Sequence, residues 1–189
     1  MIPLTSILAL AASTYLAAAI VLFARRRPGY RHAEHTISEL GEAGAADGRL
    51  VSWGVFLPTG LACLVIAWLL GAPKGPPVSD FVEAARALAL CLATGYLVAA
   101  VFPCDPGSPL SGSFRQAIHN LGGAVEYAGG TFALYTLARE APASEPFQIA
   151  GALVMAGILG ISFASRWRGL IQRVAEAALF GGLILATIR

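Results

Sequence analysis

The residues in this chain best suited to chemistry are its three histidines, one serine and one acid. His32 and His35 lie three residues apart and Ser38 follows three later, in Arg31-His-Ala-Glu-His35-Thr-Ile-Ser38-Glu39-Leu-Gly41. Asp105 sits in Phe102-Pro-Cys-Asp105-Pro-Gly, and His119 opens His119-Asn120-Leu-Gly-Gly123. His32, His35, Asp105 and His119 supply three imidazole nitrogens and a carboxylate oxygen, a ligand set suited to zinc, whose bound water would attack a lipid ester or amide. A metal-free arrangement takes Ser38 as nucleophile, His35 or His119 as general base and Asp105 as the acid that orients it. The bland alternative is that these residues cap helix ends, hold turns and meet lipid phosphates at a membrane surface. HxxH outside a helix is common by chance, and the zinc set is spread over separate connections. No GxSxG, HExxH or glycine-rich phosphate loop is present. Heme ligation fails on position, since only His119 would project into a helical bundle.

Whatever these residues do, apolar helices must position them. The chain has 189 residues, 57% of them hydrophobic and 13% charged, with a mean hydropathy of +0.69. That is the composition of a membrane protein, and the apolar residues fall in blocks of about 20, enough to cross ~30 Å of hydrocarbon. The expected fold is all-α, one polytopic bundle of six transmembrane helices, with spans at about 3–24, 50–71, 81–101, 116–137, 147–165 and 170–188. A net charge of +2, with arginines flanking apolar blocks, excludes a nucleic-acid footprint. The expected partners are membrane lipids and, through glycine-rich helix faces on the fourth and fifth spans, a second copy of the chain.

Charge bias sets the orientation. Arg25, Arg26, Arg27, Arg31, Arg49, Arg115, Arg166 and Arg168 fall in the connections after spans one, three and five, whereas those after two and four hold Lys74 and Arg139. The odd connections are therefore expected on the cytoplasmic side of a prokaryotic inner membrane, with both termini outside. The first apolar run is followed, not preceded, by its arginines, so it reads as a retained helix instead of a signal peptide. All the histidines then share one face.

Local signals refine this. Thr36-Ile-Ser-Glu39 and Ser113-Phe-Arg-Gln116 both have capping-box spacing, and Gly41 can end a single turn. Pro58 and Gly60 predict a kink in the second span, and Glu83 with Arg86 an i, i+3 pair at the outer end of the third. Cys63, Cys91 and Cys104 suggest neither a disulfide framework nor a zinc motif; Cys104 alone, beside Asp105, stands where reactivity is conceivable. On the fourth span His119, Gly122 or Gly123, Glu126 and Gly130 fall along one stripe. Glu126 lies about nine residues inside, roughly 13 Å at ~1.5 Å per residue, where a carboxylate needs a partner or a proton. Arg173, with Glu176 three residues on, starts the sixth span at comparable depth, which predicts a Glu126–Arg173 ion pair holding the fourth and sixth spans together or, as the functional alternative, a polar path or substrate head-group site. The expected pocket has His35, Ser38, Glu39, Asp105, His119 and Asn120 at its rim and Glu126, Arg173 and Glu176 below.

His35-Thr-Ile-Ser38-Glu-Leu-Gly41, Phe102-Pro-Cys-Asp105 and His119-Asn-Leu-Gly-Gly123, in that order over essentially the whole chain, resemble the prokaryotic membrane family called domain of unknown function 998. The resemblance implies a six-helix fold and a membrane location, and no activity. More distantly, Ile37-Ser38-x-x-Gly41 and His119-x-x-Gly-Gly123 are similar to turns of the FRAG/DRAM family of eukaryotic six-helix proteins, associated with lipid-anchor remodelling and autophagy; there Asn120 usually reads Asp. The alkaline ceramidase and adiponectin-receptor superfamily likewise combines Ser, Asp and three His around zinc, but this chain lacks an HxxxH in its last helix. The function expected from all this is recognition of a lipid or small amphiphile at the pocket, with metal-dependent hydrolysis, transport and scaffolding as alternatives.

Overall fold

Apolar runs separated by Gly/Pro-rich turns give helices wherever the pattern predicts them. The computed structural model describes residues 2–72, 79–163 and 166–188, which are all-helical, with no strand among them. We number the helices α1 (Leu4–Arg26), α2 (Ile37–Leu40), α3 (Gly48–Gly71), α4 (Asp80–Val101), α5 (114–140), α6 (Glu145–Ile161) and α7 (Arg168–Ile188). The long helices coincide with the six predicted spans to within a few residues. By length and composition α1, α3, α4 and α7 suffice to cross a membrane. Helix α6 is apolar but has only 17 residues, and α5 carries a polar first half. Lys74, with most of the turn between Gly71 and Asp80, lies outside the described residues, as do Arg189 and the predicted end of the fifth span at Ser165.

Large apolar side chains such as Leu10, Leu22, Trp68, Phe132 and Leu159 point outward, as expected of a bundle whose solvent is lipid. Inside, α4 is central and packs on α3, α5 and α7. Leu88, Ala89 and Leu92 of α4, Leu134 and Leu137 of α5, and Leu179 and Leu183 of α7 are fully buried. Where hydrocarbon surrounds the helices, close packing of small residues holds them together more than solvent exclusion does. Gly157 and Gly160 of α6 accordingly lie against Ala175 and Ile171 of α7. Their close contacts are within the chain.

Ahead of Pro58, where a kink is expected, α3 has a π turn at Ser52–Phe56. Pro58 has no N–H for the carbonyl of Gly54, four residues back; the hydroxyl of Tyr15 on α1 donates to that carbonyl instead. A second π turn, Val125–Gly129, interrupts α5 at Glu126. Such wide turns are often found at functional sites.

Both capping signals operate, but unequally. Thr36 Oγ1 accepts from the Glu39 N–H at 3.3 Å and Glu39 Oε1 accepts from the Thr36 N–H at 2.8 Å, a complete box that starts the single turn α2. Ser113 caps α5 through the Gln116 N–H at 3.2 Å, yet Gln116 does not reach back. It is wholly buried, and its side chain binds Asp105 N at 2.7 Å, the Pro109 carbonyl at 2.8 Å and Asn120 Oδ1 at 2.7 Å. A tertiary use of the amide outweighs the local one.

Candidate functional site

The connections after α1, α4 and α6 meet at one end of the bundle. Ala43 N donates to the Cys104 carbonyl (2.9 Å) and Gly107 N to Glu42 Oε2 (2.7 Å), while Leu170 N donates to the Ala33 carbonyl (3.0 Å). The acids here do more than solvate loops. Arg27 pairs with Glu42 at 2.6 Å and donates to the Glu39 carbonyl; Arg26 pairs with Asp47 at 2.8 Å. Ser108, at the left-handed φ of +45°, has its carbonyl held by Arg168 Nη2 at 2.8 Å. Cys104 is buried, donates to the Ser38 carbonyl at 3.3 Å, and has its thiol pushed up to about 12 by burial. It is no reactive thiolate.

Although the loops meet, the predicted zinc ligands do not. No three His, Cys, Asp or Glu side chains among the described residues are placed to hold a metal ion. Asp105 is a turn staple: Oδ2 accepts from Ser113 N at 2.7 Å, and Oδ1 from Ser113 Oγ at 2.8 Å and Arg115 at 2.6 Å. The Ser113 N–H first, then its hydroxyl and Arg115, hold this carboxyl below its usual range. The His35 ring stacks on Tyr30 and accepts from Arg31 N at 3.0 Å; the His32 ring sits edge-on to Tyr30. Both contribute carbonyls to the site, not nitrogens. The expected ligand set fails because Asp105 is consumed by its own turn and two imidazoles pack on a tyrosine. For the same reason Asp105 does not serve as an orienting acid for His119 or His35.

The carbonyls of His32 and His35 receive Arg173. Its Nη1 donates to them at 2.7 and 2.9 Å and to the Gly169 carbonyl at 2.8 Å, and Nη2 donates to Tyr30 Oη at 2.6 Å. Gly169 is required here, because a Cβ would run into the carbonyls of His32 and His35. The predicted Glu126–Arg173 ion pair is therefore absent. The two terminal nitrogens of Arg173 are taken by the loop carbonyls, the Gly169 carbonyl and Tyr30, only its Nε being left without a partner, and Glu126 points elsewhere.

Helices α4 and α5 run antiparallel, and the predicted stripe on α5 faces α4. His119 Nδ1 lies 2.9 Å from the Phe102 carbonyl, Gly122 sits against Val98, Glu126 against Gly95, and Gly129 against Cys91. Gly130, expected on that stripe, turns instead to Leu179 of α7. Gly95 is the cradle for Glu126, since any Cβ at 95 would collide with the carboxyl group. Glu126 is 6% exposed, and its Oε1 has no hydrogen-bond partner.

Glu176, also buried, neighbours Glu126 electrostatically. Both its oxygens are occupied, by the hydroxyls of Tyr96 at 2.8 Å and Tyr127 at 2.6 Å. These tyrosines were not foreseen, although Tyr127 adjoins Glu126 in sequence. Gln172, one turn before Glu176, was also missed; it accepts from Ile37 N at 2.6 Å and so ties α7 to α2.

A cavity of about 360 Å³ opens beside these groups. Ser38, His119, Asn120 and Glu126, all expected at the pocket, line it, joined by Tyr127, Arg168 and Gln172. Its apolar walls include Ala99, Leu110, Ile158 and Ile161. His35, Glu39 and Asp105 lie outside it, and His32, Arg173 and Glu176 line a separate, mainly apolar groove between α1 and α7.

The family model described as "Protein of unknown function (DUF998)" matches residues 9–189. The chain belongs to that family. No curated protein and no solved structure matches it. Membership agrees with the resemblance carried by the Ile37-Ser38, Phe102-Pro and His119-Asn120 motifs, and the apolar helices mark a membrane protein.

Proposed function

We propose that this protein spans the cytoplasmic membrane of a prokaryote six times, with both termini outside, and binds a lipid or small amphiphile in the cavity between α5, α6 and α7. The arginine-rich connections support the orientation. The membership of α5 and α6 in the membrane is supported by their packing against α4 and α7. In α5 the polar side chains at His119 and Glu126 turn inward, where they do not meet hydrocarbon.

The single observation that carries the binding reading is the composition of the cavity. Ser38, His119 and Asn120 meet Leu110, Ile158 and Ile161 in one space of about 360 Å³, a polar end for a head group beside apolar walls for a chain. Catalysis by Ser38 and His119 lacks the orienting acid that a triad needs, so binding is the function advanced here.

Gly123 provides the test. It lines the cavity and has nothing within 4 Å of a Cβ position, so the side chain of Gly123→Leu starts in open space and is directed to fill the cavity. The expected outcome is about a tenfold loss of affinity for a fluorescent lysolipid, roughly 1.4 kcal/mol, with the unfolding midpoint unchanged. Unaltered binding with the leucine in place removes the cavity as the site.

A further inference from the structure

Among the described residues, Glu126 is the one carboxylate with a buried oxygen that has no hydrogen-bond partner. Its Oε1 is buried and unpartnered while the side chain lines the cavity. The nearby polar groups make their hydrogen bonds elsewhere, Glu176 with Tyr96 and Tyr127, Gln172 with Ile37, Arg168 with Ser108 and Arg173 with the loop carbonyls, and although Arg168 and Arg173 each keep an unpartnered Nε, neither bonds to Glu126. No Lys, Arg or His among the described residues forms an ion pair with it. Buried without a partner, this carboxyl is costly as an anion, the more so beside a second buried acid, Glu176, and calls for either a proton or a cation.

We infer that Glu126 is the counter-ion for the ammonium group of an amine-bearing amphiphile. An ammonium brings the positive charge and the N–H donors that Oε1 lacks. A bare metal ion fits worse, because no third ligating side chain stands nearby. Arg168, on the cavity wall at the loop end, suits an anionic group at the entrance, so a ligand carrying both charges enters with its amine leading. The apolar walls at Ile158 and Ile161 take the chain. This inference rests on the cavity being the binding site.

The test uses the full chain in nanodiscs and compares octylamine, octanol and ethylamine. Octylamine is expected to bind about tenfold more tightly than octanol, and Glu126→Gln to erase that preference while octanol affinity stays the same. Ethylamine is expected to bind weakly, since it lacks a chain. Equal binding of octylamine and octanol to the native protein overturns the assignment of Glu126 while leaving the amphiphile reading intact. Ethylamine binding as tightly as octylamine overturns the amphiphile reading and keeps the role of Glu126. If none of the three binds, both readings fall. The native comparison needs no variant, so misfolding of Glu126→Gln does not shelter the proposal.

Discussion

Arg173 and Glu126 were expected to neutralise each other, and they illustrate two opposite ways of treating a charge near the membrane. Arg173 makes four hydrogen bonds, to the carbonyls of His32, His35 and Gly169 and to the Tyr30 hydroxyl. Only its Nε is left without a partner, and what it holds together is the loop end. Glu126 is more deeply buried, lines a cavity, and has a buried Oε1 with no partner. A charge surrounded by partners holds structure; a buried carboxyl left without them takes up a proton or, as proposed for Glu126, the ammonium of a ligand.

The strongest way to break this comparison is to remove the cation that clasps the loops. Arg173→Met should leave the His32 carbonyl without its donor, while the His35 carbonyl and the Tyr30 hydroxyl keep their bonds to each other and to Thr36, and destabilise the protein by about 2 kcal/mol, given ~1.5–3 kcal/mol for each hydrogen bond to a charged group and partial rescue by water. Thermal unfolding in detergent measures it. A loss no larger than that of an exposed arginine such as Arg139 would demote the clasp to ornament. Next in size is the cap of α2. Thr36→Val removes the acceptor for the Glu39 N–H and should cost about 1 kcal/mol, read as a lower unfolding midpoint with ligand affinity reduced only in proportion to folded fraction.

Smallest is the pH dependence of the Asp105 staple. Because its folded carboxyl titrates below the ordinary range, the ionised form stabilises the fold. That contribution is fully present above the ordinary carboxylate value and is lost as pH falls through the still lower folded value. Asp105→Asn should lower stability at neutral pH and flatten its decline in acid. An unchanged acid limb would mean that Ser113 and Arg115 do not select the ionised form.

Much of the loop end was legible because its signals are local. The box at Thr36 and Glu39 needs only a four-residue spacing, and the complete box forms. The Glu83–Arg86 pair needs only one helical turn and is found at 3.5 Å. The meeting of the odd connections followed from helix lengths, since equal spans return the chain alternately to the same end. Within the site, Ser38, His119, Asn120 and Glu126 were expected together and share the cavity. His32, His35 and Asp105 were expected to offer their side chains to it and do not, because a residue type states which atoms are available without saying which neighbour takes them first.

Composition and the spacing of apolar blocks, by themselves, determined that this is a helical membrane protein and where its long helices begin and end, because crossing length and backbone capping depend on contiguous residues. Only the tertiary structure decided that Glu126 faces Gly95 instead of Arg173, that two tyrosines occupy Glu176, and that a cavity remains beside them. Helical periodicity gives the depth of a side chain and the stripe it belongs to. The helix that stripe meets depends on rotation and on the π turn at Val125–Gly129, which neighbours in space impose.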